Sequence, residues 1–258
     1  MVHYKSRAQY GNWIRRRIIG RIGMIAVLLL LVSFLPLPLP GRLILWLFSG
    51  TSFVVVLYLM YVYLLFSDYG GKLQTKVRQV LLEHLSWDGS GKALDIGTGN
   101  GALAIRLAKL YPQSFTEGVD VWGQQWEYAQ SICERNAMIE HVEDRVHFQQ
   151  GSAAHLPFPD ESFDAVVSHF VFHEVDTSDK RQVLHEALRV VRQGGSFSFQ
   201  DMFLDQSLYG EISDLVGMVH HWGMREVHFI PTKDVMAIPF LVRNRRALGY
   251  AGLLYGRK

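Results

Sequence analysis

No aspartate or glutamate occurs in the first 66 residues, which hold seven Lys or Arg. The rest of the chain holds 19 Lys or Arg against 24 Asp or Glu, so the formal charge of +2 averages a region of +7 and one of −5. An acidic remainder lacks the basic surface that neutralises phosphates, which argues against a general nucleic-acid binder. Cysteine is nearly absent. Cys133 alone can form neither an intrachain disulfide nor a cysteine-cluster metal site. Its helical setting, SICERNA, predicts a buried small hydrophobe, and a chain without disulfides is at home in the cytosol. No repeat, low-complexity tract or H-E-x-x-H spacing is present. Histidines at 169, 173, 220 and 221 therefore predict no metal site, because adjacent histidines point in different directions.

Long apolar runs are what the basic region does contain. Leu43 to Phe66 gives 24 consecutive uncharged residues, enough for a tilted helix across a hydrocarbon core of roughly 30 Å. Tyr58, Tyr61 and Tyr63 would set amphipathic rings toward the headgroups. Ile22 to Leu35 gives 14 more uncharged residues, and spans only if Ile18 and Ile19 join it while Arg21 snorkels. A re-entrant segment or a cleaved signal are the alternatives, although a signal would leave the second segment holding the chain. Pro36, Pro38 and Pro40 cannot all sit inside a regular helix and predict a tight bend between two helices. Arg15, Arg16, Arg17 and Arg21, with Lys5 and Arg7 behind them, hold the leading flank on the cytoplasmic side, and Lys72, Lys76 and Arg78 follow the second segment. Both flanks agree with a transmembrane helical hairpin and a cytoplasmic domain behind it.

Residues 72–85 carry Leu73, Val77, Val80, Leu81 and Leu85 at helical spacing. Beyond them the period switches repeatedly. KALDI, SFTEGVD, DRVHFQQG, FDAVVSHF and GSFSFQDMF read as strands, while GALAIRLAKLY, residues 122–139 and TSDKRQVLHEALRVVRQ read as helices. This alternation predicts an α/β fold with a mainly parallel, doubly wound sheet.

The turn Gly97-Thr98-Gly99-Asn100-Gly101 between the first strand and its helix admits close backbone approach to a ligand. Asp120 follows the next strand, 19 residues beyond Gly101, where a carboxylate can accept both hydroxyls of a ribose. Two cofactors remain open on these residues, since Gly97 to Ala102 also satisfies the dinucleotide fingerprint G-x-G-x-x-A. Asp95 favours a cofactor with an ammonium group, because it would oppose a pyrophosphate.

Together, LDIGTGNG and LPFPDESFDAVVS resemble the small-molecule branch of class I S-adenosylmethionine-dependent methyltransferases, over roughly residues 75–203. The resemblance implies a seven-stranded Rossmann-like sheet and S-adenosyl-L-methionine as cofactor. By that resemblance Asp95, Gly97, Gly99 and Gly101 hold the methionine moiety and Asp120 the ribose. Val121 packs on adenine, Ala153 offers its amide to the ring, and Ser152 stands where the family most often has an acidic residue. The organisation expected is a basic segment 1–21, a two-helix anchor 22–66, an amphipathic linker and first helix 67–91, and a methyltransferase domain 92–258.

Methyl transfer from a sulfonium is an in-line displacement, so alignment and exclusion of water matter most, with a general base where the acceptor is protonated. His169, His173 and Glu174 follow the fourth strand, where ligands sit, and the two histidines would share a face if this loop is helical. Either ring could serve as base, with Asp201 a weaker candidate and Glu174 orienting a histidine or carrying the charge of the acceptor. Segment 208–224 is a candidate lid. The anchor favours a small lipid-like acceptor at the bilayer. A membrane-protein acceptor, a tethered NAD-dependent oxidoreductase and a non-catalytic cofactor-binding scaffold are the alternatives.

Overall fold

The computed structural model describes residues 7–123, 129–245 and 247–258. Its residues fall into two compact units, 12–76 and 77–258, the second also taking in residues 7–11.

In the smaller unit, α1 (Arg16–Val32) and α2 (Leu39–Phe66) run antiparallel. Ser49 Oγ donates to the Ala26 carbonyl at 2.9 Å and Trp46 Nε1 to Ser33 Oγ at 2.9 Å. Arg16 Nε donates to the Tyr63 hydroxyl at 2.6 Å, so the start of α1 meets the end of α2. The three prolines resolve as a bend: Pro38 caps α2 and Pro40 lies in its first turn, where a missing N–H costs nothing. α2, with 28 residues and an 18-residue stretch of mean hydropathy 2.1, is long and apolar enough to cross a membrane. Leu47, Val54 and Leu57 are each about two-thirds exposed on it. α1, at 17 residues, rises only about 25 Å, so the expected pair of spans reduces to one helix that meets the length.

The larger unit is a seven-stranded sheet in the order β3-β2-β1-β4-β5-β7-β6. Its strands are β1 (Gly91–Ile96), β2 (Ser114–Asp120), β3 (Val146–Gln150), β4 (Phe163–His169), β5 (Val191–Asp201), β6 (Glu226–Pro231) and β7 (Gly252–Arg257). Only β7 runs against its neighbours, pairing β5 from Ser196↔Arg257 to Asp201↔Gly252. The central strands are buried on both faces, which is why β1 and β4 read as continuous apolar runs.

Alternation along each strand divides the core. Leu94, Ile96 and Val166 face α6 (Lys180–Arg189) through Val183, Leu184, Ala187 and Leu188. Ala93, Ala165 and Val167 face α3 (Leu73–Glu83) through Val80 and Leu81, and α4 (Ala102–Leu110) through Leu103 and Leu107. α5 (Gln130–Ile139) closes the β3 side, with Cys133 and Ala137 buried against Ala104 and Ile105. Of the helix expected over 122–139, residues 124–128 lie outside the described residues, as does Lys5 of the basic segment.

The tail forms α7 (Gln206–Tyr209), α8 (Ile212–His221), β6, α9 (Thr232–Val235) and β7. α8 buries Leu215 and Val219 against the sheet. The segment expected as a lid is thus broken at Gly210 and largely docked on the sheet's flank.

Candidate functional site

The strand order reverses between β1 and β4, and the carboxyl ends of the parallel strands form a crevice there. The glycine turn enters it from β1. Gly97 and Thr98 both donate backbone N–H bonds to the Val119 carbonyl, at 2.8 and 3.1 Å, which ties the turn to β2. At Gly97 (φ +70°) an added Cβ would fall 2.1 Å from Val171 Cγ2, so no other residue fits unless Val171 moves. Gly101 (φ +78°) caps α4, and Gly99 donates its N–H to Asp120 Oδ2 at 2.9 Å. Asp120 Oδ1 accepts from Trp122 N at 3.0 Å, and each carboxylate oxygen keeps a lone pair for a ligand. Val121 is half exposed beside it.

Asp95 lies under this turn, buried, and both its bonds fall on Oδ2: from Thr98 Oγ1 at 2.7 Å and from Ala104 N at 3.0 Å. It therefore braces the turn against the start of α4. Burial pushes its carboxyl up to about 7 from 3.8, with the nearby Asp120 adding to the rise against the two hydrogen bonds. A carboxyl with its folded pKa raised favours the folded state fully below about pH 4, and that contribution is lost as pH rises to about 7. Asp95→Asn keeps an acceptor for both donors without the charge. It is expected to raise the melting temperature at pH 8 and to flatten the decline between pH 4 and 7, which thermal denaturation across pH will check.

At the end of β4 the two histidines part company. His169 is the last strand residue, Phe170 adopts φ +58°, and a single 3-10 turn, Phe172–Glu174, follows. The expectation that His169 and His173 share a helical face is therefore corrected: the positive φ ends the strand and leaves too little helix. His169 Nε2 is buried, and burial first, with the Arg78 charge second, holds the ring well below its ordinary 6.5. It is a neutral ring, packed edge-on to Phe170.

His173 instead pairs with Asp201, the last residue of β5. Nδ1 lies 2.7 Å from Asp201 Oδ1, and Nε2 lies 3.5 Å from Glu174 Oε1. The Asp201 carboxylate is buried and also accepts from Phe172 N (2.8 Å) and Met202 N (2.6 Å), so its orientation is fixed. Burial disfavours charge on His173, but Asp201 and Glu174 outweigh it and push the ring up to about 10. The ring opens on a cleft of about 360 Å³ lined with Met202, Asp205, Leu208 and Arg245. Arg245 Nε reaches Asp205 Oδ2 at 2.8 Å, and its far nitrogen reaches Ser207 Oγ at 2.8 Å.

Ser152 and Ala153 follow β3. Ser152 Oγ accepts from Ala154 N at 3.2 Å within a local turn, and the Ala153 side chain joins the core. His220 closes α8 with Nδ1 2.9 Å from the Met224 carbonyl, far in sequence from the His169–Glu174 loop. Among the described residues no cluster of His, Cys, Asp or Glu with metal-holding geometry occurs. Cys133 is buried, and burial foremost pushes its thiol up to about 12.

Several contributors escape a reading of the sequence. Trp122, at φ +42°, donates its indole N–H to the Gly99 carbonyl at 2.8 Å. Arg245 and Asp205 meet across 40 residues, and no local pattern marks that pairing. Thr98 was visible inside the glycine turn as a hydroxyl three residues from Asp95. Asp201, ranked below the histidines on sequence, is the residue that fixes one of them.

Residues 93–195 match the family model described as a methyltransferase domain. A 27-O-demethylrifamycin SV methyltransferase of Amycolatopsis mediterranei is 35% identical over 162 residues, 63% of this chain and 53% of that one. A demethylmenaquinone methyltransferase of Roseiflexus castenholzii is 36% identical over 106 residues, 41% of this chain and 40% of that one. The chain spans about half the length of the curated relatives it matches. The crystal structure of a geranyl diphosphate C-methyltransferase from Streptomyces coelicolor A3(2) superposes with a TM-score of 0.53 at 13% identity, covering 72% of this chain and 81% of that one, which is a likeness of fold. Sheet order, glycine turn and family match agree: residues 93–195 form a class I S-adenosylmethionine-dependent methyltransferase domain.

Proposed function

We propose that the protein transfers a methyl group from S-adenosyl-L-methionine to a small, lipid-like acceptor at a membrane surface. The observation that carries the cofactor reading is the pairing of the glycine turn with Asp120 at the carboxyl ends of β1 and β2. The residues suit the cofactor: Asp120 keeps lone pairs for a ribose diol, half-exposed Val121 offers a surface for adenine, and the turn has backbone where side chains would intrude. Asp95, poised near neutrality, suits an ammonium group, which would hold it ionised. Ser152 and Ala153 border the adenine end. The cofactor supplies an activated methyl on a sulfonium; the chain's task is to bind, align and keep water out.

His173 is the base in this reading, oriented by Asp201. Without an acceptor the ring holds a proton between two carboxylates. The ring first gives its Nε2 proton to solvent beside half-exposed Glu174, which leaves it neutral and held at Nδ1 by Asp201 for an acceptor hydroxyl entering the cleft. The acceptor's proton passes to Nε2 as its oxygen takes the methyl. His169, neutral and packed, shapes the floor beside it.

α2 supports the membrane part of the reading, as a helix long and apolar enough to cross a bilayer, with the catalytic domain on the cytoplasmic side. The protein is expected to stay with membranes through high-salt and carbonate washing and to leave only with detergent; release by carbonate would end the anchor reading. Incubating such membranes with methyl-labelled cofactor classifies the acceptor. Label in the organic extract is expected. Label confined to the protein pellet would replace the lipid with a membrane-protein acceptor.

A further inference from the structure

We infer that the segment ahead of the hairpin is part of the cofactor site: Gln9 and Tyr10 form a strap that sets Asn136, and through it the glycine turn. This rests on the methyltransferase reading above. Two side chains of α5, one turn apart, hold successive carbonyls of the turn: Cys133 Sγ lies 3.1 Å from the Gly99 oxygen, and Asn136 Nδ2 donates to the Asn100 oxygen at 2.9 Å. Asn136 is buried, at 1% exposure, and the rest of its carboxamide is taken by the strap. Oδ1 accepts from Gln9 N at 2.8 Å and Nδ2 donates to the Gln9 oxygen at 2.9 Å. Tyr10 lies against the α4–α5 core and donates its hydroxyl to Glu140 Oε1 at 3.2 Å, one turn further along α5. Glu140 also pairs with Lys109 of α4.

A carboxamide can be turned end for end, and its environment decides which end faces which neighbour. Gln9 presents a donor and an acceptor side by side, so only one orientation satisfies both, and that orientation aims an N–H at the Asn100 carbonyl. The opposite orientation sets Oδ1 against that carbonyl oxygen. Without the strap only the Asn100 carbonyl still favours that orientation, and a buried donor and acceptor lose their partners. Asn136 is therefore a positioning residue for the turn that carries Gly97, Gly99 and Gly101. Because the strap precedes α1 in the chain, a domain stripped of the hairpin loses it as well.

The test is a double-mutant cycle on the full chain in detergent, read by calorimetric affinity for S-adenosylhomocysteine. Deletion of residues 2–11 and Asn136→Ala are each expected to weaken binding about tenfold, the scale of lost buried hydrogen bonds. Combined, they should weaken it no further than either alone. Gln9→Pro, which removes the donor to Oδ1, should give part of the loss and, beside the deletion, tests the strap if Asn136→Ala does not fold. Unchanged affinity on deletion, or losses that add in the double variant, would overturn the strap. A wild-type chain with no affinity for S-adenosylhomocysteine would instead overturn the cofactor reading, and the strap with it.

Discussion

Replacing His173 by alanine is expected to lower turnover about 10²–10⁴-fold while leaving cofactor affinity nearly unchanged, the range for loss of a general base. The ring stands on Asp201 and opens on the cleft rather than on the glycine turn, so its loss leaves Asp120 and the turn untouched. Asp201→Asn is expected to cost nearly as much, because an amide facing Nδ1 no longer fixes the tautomer. The pH profile separates a base from a packing residue. With the ring of the free enzyme held up to about 10, wild-type kcat/KM should climb with pH above neutrality, and that limb should vanish in His173→Ala. The same shift bears on stability. A histidine with its folded pKa raised stabilises fully below about 6.5, and that contribution is lost as pH rises toward 10. If turnover falls only in step with affinity or melting temperature, His173 is a packing residue. His169→Ala, by contrast, should act chiefly through stability, since its ring is buried and neutral.

Asp120→Ala is expected to weaken binding of S-adenosylmethionine by about 1.5–3 kcal/mol, the scale for hydrogen bonds to a charged group. Asp120 does two things at once. It braces the turn through Gly99 N and Trp122 N, and it keeps lone pairs directed into the crevice. Asp120→Asn distinguishes the two, because one amide end still accepts while the other offers only donors. An intermediate loss in Asn and a full loss in Ala is the expected pattern, with the lower melting temperature in Ala, which gives up both braces. Equal and small effects on affinity would mean that the ribose is held elsewhere. Calorimetric titration alongside thermal denaturation measures both.

The parallel half of the sheet was legible because its strands and helices differ in period and length. β1 and β4 are continuous apolar runs bounded by a glycine turn and a loop, and α6 shows its apolar stripe plainly. The last two strands were not legible from pattern. β6 lies at the sheet edge, partly exposed along its length, and β7 is defined by its pairing with β5 some 60 residues earlier. Only the family resemblance implied seven strands. In the candidate site, the glycine turn, Asp95 and Asp120 announced themselves by spacing along a strand–turn–helix unit. The partnership of His173 with Asp201 did not, because it joins the ends of neighbouring strands across 28 residues. Asn136 was equally silent. Its partners are a backbone segment 127 residues away and a carbonyl of the turn, and neither leaves a mark on side-chain identity.

The central claim is the identity of the cofactor, and titration of the purified full-length protein with S-adenosylhomocysteine and, separately, with NAD tests it most directly. Saturable binding of S-adenosylhomocysteine, lost in Asp120→Ala, with no saturable heat from NAD, is the predicted result. Saturable binding of NAD with none for S-adenosylhomocysteine would contradict it and make the protein a tethered dehydrogenase.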